Sequence, residues 1–346
     1  MVNLIILGAT GAVGKQVIAL LNENYAKYSN LKLLGSKKSA GICVNISNEN
    51  YYIQEAGENS FINFDFAIFC VDSEISKKFA PIAIRSGCRV IDNSSAFRMF
   101  SNVPLIVPEI NFNQFHPEHY LIANPNCCTA LLTMVLYPLH RYNTIKEIQV
   151  STYQSASGAG DAGIKELMKQ AYDYINKKKM DVDVFGRQYL WNVFSHNSSI
   201  NLENGYNEEE LKIIEETKKI LNNQSIDISA TCVRVPVLRS HAESVSITFS
   251  NRISEEEIRM VLGSFPGVKL IDNRKDNIFP EPILSNYQDE VLVGRIRNRM
   301  GDKSSTRFEL FISGDQLLKG AALNAVQIYN AIYNNLYESN MPTIEC

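Results

Sequence analysis

The 346-residue sequence lacks the features that mark membrane, secreted and nucleic-acid-binding proteins. Its apolar runs are far shorter than the roughly 20 residues that span a bilayer, and its first residues carry no basic signal-peptide segment. Its seven cysteines follow no regular spacing and so indicate no disulfide framework. The net charge of -3 gives no reason to expect a nucleic-acid partner. We therefore expect a globular cytoplasmic protein with neither membrane nor nucleic-acid partners.

The chain begins with the pattern of a dinucleotide-binding unit. The apolar run at residues 2–7 predicts a buried strand, and residues 15–21 predict a helix. Between them the spacing is Gly-x-x-Gly-x-x-Gly, a variant of the Rossmann fingerprint, whose glycines let the backbone approach a pyrophosphate at the helix N-terminus. A plain turn is the alternative. The residues expected to contact the cofactor here are Gly8, Thr10, Gly11, Ala12 and Val13.

An acidic residue is missing after the second predicted strand, residues 31–34. Sites for NAD usually place Asp or Glu there, where it bonds the ribose 2′-hydroxyl. The sequence instead offers two lysines and two serines, which suit a 2′-phosphate. A solvated basic loop is the alternative. We predict NADP(H) as the cofactor, with contacts from Ser36, Lys37, Lys38 and Ser39.

Alternating strands and helices continue to residue 126, which predicts a parallel, doubly wound α/β sheet. The segments after residue 126 have a different pattern. Strands are predicted at 146–153 and 226–235. Those predicted at 244–249, 291–297 and 307–312 are expected to be mostly joined antiparallel, and a final helix covers 317–336. Residues 180–206 look irregular, and we interpret His196 there as a surface or structural histidine.

A cysteine stands where a predicted strand ends and a helix begins. The extended segment 120–123 runs into Asn124-Pro125, which disfavours helix before the proline. The apolar run 130–136 then predicts a buried helix that starts near Cys127. Free N–H groups at a helix start stabilise a thiolate. We predict that Cys127, rather than the adjacent Cys128, is a nucleophile; a buried structural cysteine is the alternative.

Six motifs together resemble the aspartate-semialdehyde dehydrogenase family along almost the whole chain. They are Gly-Ala-Thr-Gly-Ala-Val-Gly at 8–14, Ile-Asp-Asn-Ser-Ser-Ala-Phe-Arg at 91–98, Asn-Pro-Asn-Cys-Cys-Thr at 124–129, Tyr-Gln-Ser-Ala-Ser-Gly-Ala-Gly at 153–160, Cys-Val-Arg-Val-Pro-Val at 232–237 followed by His241, and Lys-Gly-Ala-Ala-Leu-Asn at 319–324.

The resemblance implies a Rossmann-like NADP-binding domain at 1–126 plus 319–346, with the C-terminal helix returning to it. A second α+β domain at 127–318, built on a mixed sheet, would carry catalysis and dimerisation. The implied reaction is the NADPH-dependent reduction of β-aspartyl phosphate to aspartate semialdehyde and phosphate through a cysteine thioester. It serves the biosynthesis of lysine, threonine, methionine and diaminopimelate. A homodimer without a metal is expected.

The resemblance also implies roles for individual residues. Cys127 would be the nucleophile and His241 the acid/base. Gln154 and Arg234 would hold the amino and carboxylate end of the substrate, with Glu209 as a further contact. The matching phosphate-binding positions are Arg98, Asn126 and Lys212. Further cofactor contacts are expected at Ser157, Gly158 and Asn324.

Two alternative functions stay open on the sequence. An N-acetyl-γ-glutamyl-phosphate reductase performs the same reaction type on a longer substrate, but its nucleophile motif differs from the one at 124–129. A catalytically inactive paralogue that acts as a binding protein should lack the cysteine, so Cys127, Gln154, Arg234 and His241 together argue against it.

Overall fold

The structure is a computed structural model that describes residues 2–338. Contacts within the chain divide it into two units. One unit contains the chain up to Pro125 together with the segment from Ala321 onward, and the other is Asn126–Gly320. The predicted domain limits were 126/127 and 318/319. The part of the predicted first domain at 339–346 lies outside the described residues.

Both units contain strands and α-helices. The strands are β1 Asn3–Leu7, β2 Asn30–Gly35, β3 Cys43–Ile46, β4 Glu49–Tyr52, β5 Gln54–Glu55, β6 Phe66–Phe69, β7 Arg89–Asp92, β8 Leu121–Ala123, β9 Ile145–Gln154, β10 Phe194–Ser195, β11 Asp227–Arg234, β12 His241–Phe249, β13 Val268–Leu270, β14 Val291–Asn298 and β15 Arg307–Gly314. The α-helices are α1 Ala12–Asn22, α2 Ser73–Arg85, α3 Pro108–Asn111, α4 Cys127–Tyr142, α5 Gly160–Ile175, α6 Glu208–Ile220, α7 Glu255–Ser264, α8 Pro282–Ser285 and α9 Leu323–Tyr333. Between residues 2 and 338, no helix is long and apolar enough to cross a membrane.

The first unit contains a six-stranded sheet in the order β5-β2-β1-β6-β7-β8. All of its pairings are parallel, which confirms the predicted doubly wound sheet. Its central strands are apolar and almost completely buried, as expected of a parallel sheet covered on both faces. Because the strands run in one direction, their carboxyl ends share one edge, where such sheets bind ligands.

Three short strands of this unit were not predicted. Strands β3 and β4 form an antiparallel hairpin, and β5 pairs in parallel with β2. These segments are mostly exposed and carry few consecutive apolar residues, so their sequence lacks the pattern of a buried strand. The pairing of β5 has a consequence for the ligand edge, since it sets Glu55 beside Gly35 at the end of β2.

The second unit contains a seven-stranded mixed sheet in the order β10-β11-β9-β12-β15-β14-β13. The later strands were expected to be mostly antiparallel, and β15 pairs antiparallel with both β12 and β14, while β11 runs parallel to β9. Helix α4 packs on one face, so closely that a Cβ on Gly314 would lie 2.5 Å from Leu131. Helix α6 packs against both β11 and α4.

Two predicted boundaries in the later segments are wrong. Strand β12 begins at His241 rather than at Ser244, because Ser240 at φ 67° turns the chain and the polar residues that follow pair with β9 and β15. The final predicted helix is α-helical only over Leu323–Tyr333. It is flanked by π-helical turns at Leu318–Ala322 and Asn334–Glu338.

Candidate active site

Helix α4 begins at Cys127, as predicted, and Asn126 caps it. The Asn126 side-chain oxygen accepts hydrogen bonds from the backbone N–H groups of Cys128 and Thr129 at 3.0 and 3.3 Å. The Cys127 side chain is partly exposed, whereas Cys128 is fully buried. Only the first of the two thiols can therefore meet a substrate without rearrangement of the helix.

His241 is completely buried at the start of β12 and points toward that thiol. The Sγ atoms of Cys127 and Cys128 and a ring nitrogen of His241 all lie within 4.8 Å of one another. The backbone N–H of Ser155 donates to His241 Nδ1 at 3.1 Å. Because that donor is fixed, the neutral ring carries its proton on Nε2. Nε2 has no hydrogen-bond partner within the described part of the chain, so its proton faces the thiol and the space beside it.

The two thiols differ in acidity. The Cys128 thiol, followed by the nearby His241 ring, holds the pKa of Cys127 well below its usual value, against the effect of burial. Burial, with the neighbouring Cys127, raises the pKa of Cys128 well above the usual value. Cys127 is thus the thiolate of the pair, which is the reactive form.

Arg234 and Gln154 lie side by side, because β11 and β9 pair in parallel with these residues in register. The Arg234 side chain is buried. It donates from Nη1 to the Ser155 carbonyl oxygen at 3.2 Å and from Nε to Asn197 Oδ1 at 3.3 Å. A buried guanidinium held by neutral groups keeps its charge available for an anionic ligand.

Glu209, in the first turn of α6, links several of the predicted substrate residues. It accepts hydrogen bonds from Asn126 Nδ2 at 2.8 Å and from Gln154 Nε2 at 3.3 Å, and Lys212 Nζ lies 3.7 Å from its second oxygen. Burial opposes its ionisation, but His196, Lys212 and the Asn126 amide lower the pKa of Glu209 to about 2. Glu209 therefore offers a fixed negative charge for an ammonium group.

Of the two interpretations of His196, surface or structural, the geometry supports the structural one. Its ring accepts from the Ser198 backbone N–H at 3.2 Å, and it lies close enough to Arg234 and Glu209 to interact with their charges. Burial, together with the charge of Arg234, lowers the pKa of His196 to about 4. It is a neutral part of the site wall near neutral pH.

Two glycines allow close approach to these side chains. A Cβ on Gly158 would lie 2.6 Å from Arg234 Nη1 and 3.1 Å from the His241 ring. A Cβ on Gly320 would lie 2.9 Å from the Cβ of Cys127. Sequence reasoning missed Gly320, and its only signal was a glycine inside a predicted helix. Close packing against Arg234 and His241 explains why residue 158 is a glycine, without reference to a cofactor. The neighbouring Ser157 is buried, and its hydroxyl accepts a hydrogen bond from Gln316.

The glycine loop of the first unit has the geometry that its spacing predicted. Gly8 has φ 89°, and a Cβ there would lie 2.2 Å from the Cys70 carbonyl oxygen. A Cβ on Gly14 would lie 2.1 Å from the Gly8 carbonyl oxygen. Helix α1 begins at Ala12, directly after Gly11. Its free N–H groups thus face the edge where a pyrophosphate would bind.

A cleft of about 360 Å³ opens beside this loop. The hydroxyl of Thr10 lies 3.2 Å from that of Ser39, so the loop and the turn after β2 are in contact. Sequence reasoning missed two charged lining residues, Lys78 of α2 and Glu55 of β5, which reach the cleft only through the fold. The lining residues are Leu7, Gly8, Thr10, Gly35, Ser36, Lys37, Glu55, Ala56, Val71, Ile75, Lys78 and Phe79.

Arg98 and Asn324 lie in the first unit and are both buried. Arg98 donates to the carbonyl oxygens of Asn124 and Asn93 at 2.8 and 2.7 Å. Asn324 donates to Asn124 Oδ1 at 2.6 Å and to the Ile106 carbonyl oxygen at 3.0 Å. Both side chains therefore hold the ends of β7 and β8 in place, and their predicted ligand contacts stay predictions.

Both units of the chain match known protein families. Residues 3–117 match the family described as "Semialdehyde dehydrogenase, NAD binding domain", and residues 136–319 match "Semialdehyde dehydrogenase, dimerisation domain". The aspartate-semialdehyde dehydrogenase of Synechocystis sp. is 42% identical over 327 residues, covering 94% of this chain and 96% of that protein. The chain belongs to the aspartate-semialdehyde dehydrogenase family.

Other members of the aspartate-semialdehyde dehydrogenase family agree with this assignment. The Bacillus subtilis enzyme is 38% identical over 334 residues, which cover 94% of this chain and 96% of that relative. The crystal structure of aspartate semialdehyde dehydrogenase II from Vibrio cholerae, complexed with ASA, superposes with a TM-score of 0.93 at 36% identity, covering 97% of this chain and 99% of that one. The resemblance and fold class inferred from the motifs are confirmed. The roles of single residues stay predictions that the geometry supports.

Proposed function

We propose that this chain catalyses the NADPH-dependent reduction of β-aspartyl phosphate to aspartate semialdehyde and phosphate, in the biosynthesis of lysine, threonine, methionine and diaminopimelate. The observation that carries the proposal is the partly exposed Cys127 thiol within 4.8 Å of His241. Arg234, Gln154 and Glu209 lie in the same unit and supply charges of both signs for an amino-acid substrate.

The first step is the attack of the Cys127 thiolate on the acyl carbon. A C–S bond forms, the bond to phosphate breaks, and phosphate leaves with the electron pair. The buried guanidinium of Arg234 binds the α-carboxylate, while Glu209 and Gln154 bind the α-ammonium group. Lys212 and Asn126 are proposed to contact the leaving phosphate, as is Arg98 by its motif. In the structure, Lys212 and Asn126 both contact Glu209.

The second step reduces the thioester. NADPH, when bound, supplies the hydride. The proton on His241 Nε2 then stabilises the oxygen of the thiohemiacetal. When the C–S bond breaks, the aldehyde is released and Cys127 leaves as a thiolate, a good leaving group because its pKa is lowered. The hydrogen bond from Ser155 holds the ring of His241 in the required orientation.

We propose NADP rather than NAD as the preferred dinucleotide. Support comes from Lys37 and Ser36, which line the cleft beside the glycine loop, and from the unpredicted Lys78 on its other wall. Glu55, which also lines the cleft, is the group that would oppose a 2′-phosphate. Substitution of Lys37 should raise the Kd for NADPH and not for NADH, whereas Glu55→Gln should lower the Kd for NADPH, because it removes the opposing charge.

We propose that the first unit is the NADP-binding domain and the second the catalytic and dimerisation domain, and that the chain forms a homodimer. The matched dimerisation-domain description supports this. The sheet face opposite α4 also supports it, since it carries partly exposed side chains on four adjacent strands, including Tyr153 and Phe311. Light scattering after size-exclusion chromatography should give twice the chain mass, and Tyr153→Lys should give the single-chain mass. A cytoplasmic location stays a prediction from the cysteine content.

The deciding assay is NADP-linked oxidation of aspartate semialdehyde with and without inorganic phosphate. We expect phosphate-dependent formation of NADPH by the parent protein and none by Cys127→Ser. N-acetylglutamate semialdehyde serves as the alternative substrate. Faster turnover of that compound, or activity that does not depend on phosphate, would reject the proposal.

A further inference from the structure

A buried glutamate lies on the sheet face that also carries His241. Glu243 follows His241 by two residues on β12, so both side chains point to the same face of the sheet. Strand pairing sets Thr152 on one side of it and Ile312 on the other. Glu243 is fully buried, and neither carboxyl oxygen has a hydrogen-bond partner among residues 2–338. An ionised carboxylate in that position would be uncompensated, which favours the neutral acid.

The polar groups that act on Glu243 are the two thiols of α4. Burial raises the pKa of Glu243 well above its usual value, the charge of Cys127 raises it further, and the Cys128 thiol opposes this. On the neighbouring strand β9, Thr152 contributes a hydroxyl. Cys232 lies one strand further away, on β11, and burial raises the pKa of its thiol. Glu243 therefore holds a proton that can be donated to sulfur.

We propose that Glu243 is a positioning residue for Cys127 that acts through Cys128. Its carboxylic acid donates a hydrogen bond to the sulfur of Cys128, and this orients the Cys128 S–H toward the Cys127 thiolate. No proton is transferred and no bond is broken. The proposal supplies a partner for an acid whose two oxygens have none recorded among residues 2–338. It also explains why the fully buried Cys128 favours the thiolate of Cys127. It rests on the proposed role of Cys127 as nucleophile.

The test measures the thiolate of Cys127 directly, in the full-length enzyme without substrate, from the pH dependence of its alkylation by iodoacetamide. Cys127→Ser is the blank. Glu243→Gln keeps a neutral donor and should preserve the pH midpoint and the alkylation rate. Glu243→Met has similar length but no donor. It should raise the midpoint by about one unit and lower the rate near neutral pH about tenfold.

A double-mutant cycle tests the route through Cys128. In a Cys128→Ala background, Glu243→Met should produce no further change in the midpoint. An infrared difference spectrum between the parent and Glu243→Gln should also show a protonated carboxyl band at neutral pH, and this measurement does not require the Met variant to fold.

Three results would overturn the proposal. The first is that Glu243→Gln shifts the pH midpoint of Cys127 alkylation as far as Glu243→Met does. The second is that Glu243→Met still shifts this midpoint in the Cys128→Ala background. The third is that the infrared band of Glu243 is that of an ionised carboxylate. Failure of the proposed function can be distinguished from failure of the proposed role of Glu243. In that case the parent protein shows no dehydrogenase activity, whatever the alkylation profile of Cys127.

Discussion

Replacement of Gly158 by alanine should separate activity from stability. The added Cβ would lie 2.6 Å from Arg234 Nη1 and 3.1 Å from the Cε1 and Nε2 atoms of His241. The nearest atom is the end of a long side chain, which can move aside at small cost to the fold. That movement, however, displaces the guanidinium that we propose binds the substrate carboxylate, and it crowds the imidazole beside the thiol.

The size of the effect follows from the displacement. A methyl group needs about 3.5–4.0 Å from its neighbours, so the Arg234 end group must move by about 1 Å. A displacement of that size in a catalytic constellation costs about a hundredfold in rate, or about 2.7 kcal/mol. We expect kcat/KM for aspartate semialdehyde to fall by about this factor, with part of the loss in KM because Arg234 contacts the substrate directly.

Gly263→Ala is the matched control, since a Cβ built on that helical glycine meets no atom within 4 Å among residues 2–338, apart from its own helix backbone and chain neighbours. It should keep full activity and be equally or slightly more stable. Steady-state kinetics and thermal melting of the two variants test whether Gly158→Ala lowers activity without lowering stability. A Gly158→Ala enzyme with parental kcat/KM would refute the assigned role of Arg234. A Gly158→Ala protein with a much lower melting temperature would show that the Arg234 side chain cannot move aside at small cost to the fold.

Further substitutions test the remaining groups. Cys127→Ser should abolish activity, whereas Cys128→Ser, which keeps a donor, should retain most of it; the reverse ranking in the same assay would exclude Cys127 as nucleophile. His241→Gln should lower kcat by roughly a hundredfold to ten-thousandfold. The lowered pKa of Cys127 depends partly on His241, so the pKa of Cys127 should be higher in the His241→Gln variant. As the pH falls, this variant should therefore lose its reactive thiolate at a higher pH than the parent does. An unchanged pH–rate profile would contradict this. Lys78→Gln should weaken NADPH binding about tenfold to a hundredfold, the loss of about 1.5–3 kcal/mol expected for a charge-assisted contact. Lys77→Gln, one residue away and outside the cleft, should not; equal effects in fluorescence titrations would mean that Lys78 does not reach the cofactor.

Local patterns in the sequence predicted the elements that depend on neighbouring residues. The glycine spacing predicted the loop in which Gly8 and Gly14 have no room for a side chain. The Asn-Pro pair followed by an apolar run predicted that α4 starts at Cys127. Both features are determined within a few residues, by backbone sterics and by helix capping, so a single stretch of sequence contains the information.

Features that depend on strand register could not be predicted in this way. Glu55 reaches the cofactor cleft only because β5 pairs with the end of β2. His196 joins the site because β10 pairs with the end of β11, which carries Arg234. The alternation in β12 begins three residues earlier than its apolar residues suggested, since His241 and Glu243 are polar residues on the buried face. Polar groups buried for function break the hydrophobic pattern on which strand prediction relies.

The register of the mixed sheet explains how one fold supports both a stable core and a reactive site. Because Ala242 pairs with Tyr153, their neighbours His241 and Gln154 lie at one level of the sheet, beside Arg234. The next level inward is the row Cys232, Thr152, Glu243 and Ile312, and the level after that is the apolar row Ala230, Val150, Val245 and Leu310. Polarity thus decreases stepwise from the site to the core on the face that α4 covers. Glu243 at the second level is fully buried, and its oxygens have no hydrogen-bond partner among residues 2–338, which favours the neutral acid. This places Glu243 where its proton can serve the thiols without competing with Arg234 for the substrate.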